Sequence, residues 1–190
     1  MDSLSHVLYG VTCCSRRGLP GGQSGPVKGD GSPRRFDWTA WAAAAFGILP
    51  DALSLGLYFS WLLIQGKPID WHGIPTIIFA LYWMTHSLVV AGLCILLFRV
   101  LWKPLVLPAC AWPLHIAMDT FTHQQGRFQT PILFPVSDFR LHGINWWEHT
   151  SVIYTYWGIL LAIWIGLAVV RWRYWSRRMS SSSVNPSAGI

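Results

Sequence analysis

Charge is what this 190-residue chain has least of: Asp, Glu, Lys and Arg make up 12% of it, against about 25% in soluble globular domains. So few charged groups cannot clothe a water-facing surface, which argues against a soluble helical protein. Acids are the scarcest, with eight Asp and Glu against fourteen Lys and Arg. Cysteine is sparse as well. Cys13 and Cys14 are adjacent, and Cys94 and Cys110 stand alone in apolar runs. That arrangement is neither a disulfide framework nor a metal-binding spacing, and Cys94 and Cys110 read as small apolar packing residues. A signal peptide is also missing, because no apolar stretch follows Arg16 and Arg17 until Trp38. No internal inverted repeat of the transporter kind is visible.

What the chain has in excess is apolar and aromatic surface: 53% hydrophobic residues and thirteen Trp. Indole rings in such number suit helix ends at the headgroup level of a bilayer. Residues 1–37 are rich in Gly, Pro and Ser, lack a sustained period and read as a disordered tail. Four apolar stretches follow: Trp38–Ile64, Gly73–Phe98, Pro104–His123 and Thr150–Val170. The first, 27 residues long, can cross a hydrocarbon core of about 30 Å with some tilt. Pro50 predicts a kink in it, and Asp51 either marks a function inside the membrane or caps a helix restarting there. Pro108 and Pro113 predict a bend in the third. The expectation is an all-α, polytopic membrane protein with a four-helix membrane domain over residues 38–170 and a basic, Ser-rich tail over 171–190.

The basic residues predict orientation. Arg16, Arg17, Lys28, Arg34, Arg35, Arg99, Lys103, Arg171, Arg173, Arg177 and Arg178 fall on one side of the four-span arrangement. Lys67, Arg127 and Arg140 are left for the other. The positive-inside rule then places both termini in the cytoplasm and the 124–149 connection outside. Because the positive residues are clustered in this way, they are topology signals, and no nucleic-acid partner is expected.

Chemistry concentrates in LHIAMDTFTH, Leu114 to His123. His115, Asp119 and His123 recur at i, i+4 and i+8, on one face of a helix. With Asp51 and His86 they are costly groups in apolar surroundings, and their cheapest joint arrangement is a meeting inside the bundle or around a cation. His115 and His123 are separated by about 12 Å of helical rise, so one ion cannot hold the whole row. Either two divalent ions share an acidic bridge, or one ion is bound by His115 and Asp119 and His123 is left for chemistry. In both cases Asp51 and His86 complete the ligand set. Glu148 and His149, before the last span, are candidates to fold back as base or ligand, though Glu148 equally suits a helix N-terminus. Arg127 is a candidate phosphate clamp. Trp146 and Trp147 read as interface anchors. Two other classes stay open: an ion- or proton-coupled transporter, which a homodimer would help to build, and a non-catalytic membrane scaffold.

An ordered set of short motifs sharpens this reading: Pro50-Asp51, Thr85-His86-Ser87, the Leu114–His123 segment, and TPILFP from Thr130 to Pro135. Across residues 47–165 the chain resembles the YdjM-like membrane-bound metal-dependent hydrolases, some of which bear the name LexA-binding inner-membrane hydrolases. The resemblance implies Asp51, His86, His115 and Asp119 as ligands of a divalent metal, zinc first, with one or two ions. It implies metal-assisted hydrolysis of an ester or phosphoester; to that chemistry the residues themselves add His123 or Glu148 to move the proton and Arg127 to bind substrate. It also implies a bacterial inner-membrane location, and the site's position in a lipid-facing bundle suggests a lipid or lipid-linked substrate. The extra acidic and basic residues that family members often carry around the first two motifs are absent here, and no LexA partner is carried over.

Overall fold

A computed structural model describes residues 1–19, 37–123, 126 and 128–182, with side chains to residue 177. Among the described residues the regular elements are helical. Ser3–Cys14 forms α1, Trp38–Asp51 α2 and Leu57–Ile64 α3, with a π-helical turn at Ala52–Gly56 joining the last two. Then come α4 (Thr76–Thr85), α5 (Leu88–Leu101), a 3-10 turn at Lys103–Leu105, α6 (Val106–Ala109), α7 (Ala111–Thr122) and α8 (Thr150–Ser182).

Two helical runs are long and apolar enough to cross a membrane: Trp38–Ile64, 27 residues, and Thr150–Arg177, 28 residues. Helices α4 and α5 make a third only if counted as one span, because they meet at a 55° bend. The predicted span at Pro104–His123 is not one. Its longest helix, α7, has 12 residues, about 18 Å of rise against a core of about 30 Å. The prolines and the tight turn at Lys103–Leu105 break the stretch, and α7 lies inside the bundle with Ala111, His115, Ile116 and Asp119 buried. Among the described residues, helices of spanning length and apolarity therefore number two, or three with the bent pair.

Contacts at one end bring basic segments together. Trp38 stacks on Trp102 with centroids 5.2 Å apart, the Arg16 guanidinium lies 5.9 Å above the Trp38 ring, and the Arg171 guanidinium donates to the Arg17 carbonyl. The start of α2, the end of α5, the end of α1 and the basic stretch of α8 thus share one end of the molecule. The last helix also runs on past Val170 to Ser182, since Arg, Trp and Tyr there are acceptable helix formers.

The largest departure from the sequence reading is α1. Residues 1–37 were expected to be a tail, yet Ser3–Cys14 is a helix seated in the bundle; residues 20–36 lie outside the described set. Asp2 caps it, its Oδ1 accepting from Ser5 N at 2.8 Å. The inward face is polar and, His6 Nδ1 apart, its groups find partners: Thr12 Oγ1 donates to Leu8 O and accepts from Trp164 Nε1 at 2.9 Å. Tyr9 donates to the Tyr156 carbonyl and Tyr156 to Asp2 Oδ2. Small residues let α1 approach α2. A Cβ at Gly47 would lie 2.9 Å from the His6 carbonyl oxygen, and one at Gly10 3.0 Å from that of Ala43. This is the close crossing that small residues permit between membrane helices.

Candidate metal centre

Each of the four central side chains is delivered by a break or a crossing. Asp51 ends α2. Pro50 cannot donate a backbone hydrogen bond, and the chain passes through the wider π turn of the kind found at functional sites. Asp51 stays helical and makes no side-chain cap bond, so the cap alternative is not what the structure adopts. The Pro50 carbonyl is instead taken by Ser54 Oγ at 2.7 Å and Thr85 Oγ1 at 3.1 Å. His86 sits at the bend between α4 and α5, where Ser87 Oγ accepts from Val89 N and Val90 N and starts α5. The loop supplies the bend's remaining partners. Leu88 N donates to Ile132 O at 2.9 Å, and Ser87 Oγ donates to the Phe134 carbonyl. His115 and Asp119 stand one turn apart on α7.

The four converge. One ligand atom from each of Asp51, His86, His115 and Asp119 lies within 4.8 Å of every other. His86 Nε2 and His115 Nε2 are 3.3 Å apart. Asp119 Oδ2 is 3.4 Å from the first and 3.2 Å from the second, and Asp51 Oδ1 is 3.6 and 3.7 Å away. A tetrahedron of metal bonds 2.0–2.1 Å long has edges of about 3.3 Å. The side chains of His86 and His115 are fully buried, and Asp119 is 2% exposed.

The far ring nitrogens settle what the near ones can do. His86 Nδ1 lies 2.9 Å from Tyr82 O, and His115 Nδ1 2.7 Å from Gly47 O. A carbonyl only accepts, so Nδ1 carries the hydrogen in each ring and the neutral ring turns its Nε2 lone pair toward the cluster, as in metal-ligating histidines. Two such lone pairs facing two carboxylate oxygens in a buried space need a cation between them or a proton on the rings. The donor set, two imidazoles and two carboxylates, suits a zinc-like divalent ion.

Asp119 also has a second set of partners. Its Oδ1 lies 2.7 Å from the Met1 amine, 2.9 Å from His6 Nε2 and 3.5 Å from His123 Nδ1. Burial alone would favour the neutral acid, but His6, the N-terminal ammonium, His115 and His123 hold its pKa well below the usual carboxylate range. Burial pushes His6 down to about 4, with Asp119 pulling the other way, so that ring is neutral near pH 7. His6 stacks on His115 at 3.7 Å between centroids.

The row of three expected on one helical face is only partly kept. Helix α7 ends at Thr122, and His123 turns into extended backbone, outside the four-ligand group, as the rise argument required. Its Nδ1 lies 3.1 Å from Asp119 O, and burial lowers its pKa below the ordinary histidine value against the pull of Asp119. Glu148 is not brought to the cluster. It is exposed on the loop before α8, where its Oε1 accepts from Asn145 Nδ2 at 2.8 Å. Arg127 lies outside the described residues. Trp146 and Trp147 line a cavity of about 790 Å³ that Asp51, Asp119 and His123 also border. Sequence reasoning missed His6, and it missed Tyr82, whose ring stacks on His86 at 3.9 Å. The spacing of His6 to Gly10 on a capped helix was the available signal. Comparison of the chain with known protein families, with curated proteins and with solved structures finds no match.

Proposed function

We propose that the protein is a membrane-embedded, metal-dependent hydrolase of the YdjM-like kind that cleaves an ester or phosphoester. The observation that carries this reading is the meeting of two tautomer-fixed Nε2 atoms and two carboxylate oxygens at tetrahedral edge lengths, beside a cavity large enough for an organic ligand. Asp51, His86, His115 and Asp119 would hold the ion, zinc first. A second ion at Asp119 Oδ1 would have to displace the Met1 amine, 2.7 Å away, so one ion is the count proposed. A bound divalent ion supplies Lewis-acid polarisation of the ester and acidifies water at the site.

The chain's own residues do the rest. His123 is the group placed to move the proton. With Nδ1–H directed at the Asp119 carbonyl, its Nε2 is the basic nitrogen, and its lowered pKa keeps it unprotonated near neutrality. In hydrolysis the water oxygen bonds to the carbonyl carbon or phosphorus and the bond to the alkoxy oxygen breaks. That oxygen leaves with the proton His123 took from water. Ser3 Oγ donates to Asp51 Oδ2 at 2.9 Å and fixes that carboxylate's orientation. Arg127 remains the proposed phosphate clamp. The basic end, where Arg16, Arg17 and Arg171 gather, is proposed to be cytoplasmic in a bacterial inner membrane, with the C-terminal tail on that side; Met1, expected there too, instead lies inside the bundle with its amine on Asp119.

Detergent-purified protein should release p-nitrophenol from a p-nitrophenyl ester or phosphodiester in a chelator-sensitive way, and His115→Ala should not. Turnover that survives both chelation and His115→Ala would overturn the reading. One observation favours a second reading, a proton or ion path. His6, Asp119, His86, His115 and Asp51 form an unbroken row of titratable groups. Metal-independent flux in proteoliposomes, lost in Asp51→Asn, would select it.

A further inference from the structure

The cavity beside the cluster has two chemically distinct parts. Its charged and polar lining is gathered at one end: Asp51, Asp119, His123 and the Met1 amine, 2.7 Å from Asp119 Oδ1, with Asp2 beside it, joined by Ser3 through Asp51 and by Tyr82 through its stack on His86. The rest is hydrocarbon and aromatic. Along the Trp38–Ile64 span, Ile48, Ala52, Leu55 and Phe59 all border it, a spacing of four, three and four residues that keeps them on one helical face. Asp51 stands beside that face, so the charged end and the apolar strip share one span. From Asp51 to Phe59 the strip rises about 12 Å.

Small residues keep the strip open. Ala52 and Gly56 occupy its middle within the π turn, and Ala52 is exposed to the cavity space. The facing wall is aromatic, from Trp71, Phe128 and the Trp146–Trp147 pair. A sugar phosphate or nucleotide bound here would strip water from its hydroxyls and bases and find only the indole N–H groups of Trp71, Trp146 and Trp147 as donors, too few to replace that water. A molecule with one charged end and a hydrocarbon remainder loses nothing. The cavity also lies along a span, where such molecules are already dissolved.

We infer that the substrate is a membrane amphiphile whose single hydrocarbon chain lies along the Ile48–Phe59 face, with its ester or phosphoester group at Asp51 and Asp119. This names the substrate class of the proposed hydrolase and rests on that reading for the chemistry and for the cation that offsets the two carboxylates at the head group; the chain site rests on the apolar lining alone.

The test uses full-length protein in lipid nanodiscs and dodecylphosphonate carrying a diazirine at its tail, which cannot be hydrolysed. Irradiation should label Leu55, Phe59 and Trp71, and Ala52→Phe should reduce that labelling at least tenfold. Leu55→Trp serves where Ala52→Phe fails to fold. Labelling spread equally over the outward Leu57 and Leu63, which are 51% and 78% exposed, or unchanged by either plug, overturns the inference. Labelling reads binding alone. Protein that labels as described and hydrolyses no ester loses the hydrolase reading and keeps the chain site. Protein that hydrolyses short and long esters with equal kcat/KM keeps the hydrolase reading and loses the chain site.

Discussion

Replacing Gly47 by alanine should destabilise the protein, although the same change usually strengthens a helix. In an open helical position alanine gains roughly 0.5–1 kcal/mol over glycine. At Gly47 the added Cβ would sit 2.9 Å from the His6 carbonyl oxygen and 3.4 Å from Val7 Cα, and a backbone atom cannot swing aside as a side-chain tip can. Overpacking of that kind costs about 1–3 kcal/mol, leaving a net loss of roughly 1–2 kcal/mol. The displacement has a second effect. The Gly47 carbonyl holds His115 Nδ1 at 2.7 Å, so moving it turns a ligand ring without touching any ligand, a class of change that costs about 10- to 100-fold in metal affinity. Gly158 and Gly166 on α8 are the controls, since nothing lies within 4 Å of a Cβ built at either. Thermal unfolding in detergent, followed by circular dichroism with and without zinc, reads both effects. If Gly47→Ala is as stable as Gly158→Ala and binds zinc as tightly as the parent, α1 does not cross α2 as described.

Other consequences are sharper in sign than in size. His123→Gln should keep the metal content of the parent and lower kcat by about 10²–10⁴, as loss of a general base does; equal loss of metal would make His123 a ligand. Trp112→Phe removes the indole that donates to Thr85 O at 2.7 Å, and unfolding midpoints should report a loss of about 1–3 kcal/mol. Metal-free protein should lose stability as pH falls. The His6 ring has a folded pKa of about 4 against 6.5 ordinarily, so between those values the unfolded chain binds the extra proton and is favoured. Midpoints measured from pH 7.5 to 4 should decline through that window, and a flat profile would contradict the burial of His6.

The metal-ligand set was legible for a physical reason. Ionisable groups in apolar surroundings must find one another, so Asp51, His86, His115 and Asp119 could be grouped without knowing any helix position. Helix α1 was not legible by the same reasoning. Its inward face carries Ser5, His6, Gly10 and Thr12, small and polar residues that composition assigns to a tail. Only tertiary partners such as Trp164 and Asp119, more than a hundred residues away, show why they are buried. The third stretch was ambiguous at α7 because an apolar run broken by three prolines, Pro104, Pro108 and Pro113, matches a short internal helix as well as a crossing one. Trp146 and Trp147 face a cavity that no local pattern records. Glu148, read as a base from its place in the chain, is held away by Asn145.

The central claim is that four side chains hold a divalent ion. Elemental analysis of detergent-purified protein, paired with X-ray absorption at the metal edge, tests it most directly. The account predicts at least one equivalent of zinc or a similar metal with two imidazoles in its nitrogen-and-oxygen shell, lost in both His115→Ala and Asp119→Ala. Folded protein that contains no metal and takes up none from zinc-containing buffer would contradict it.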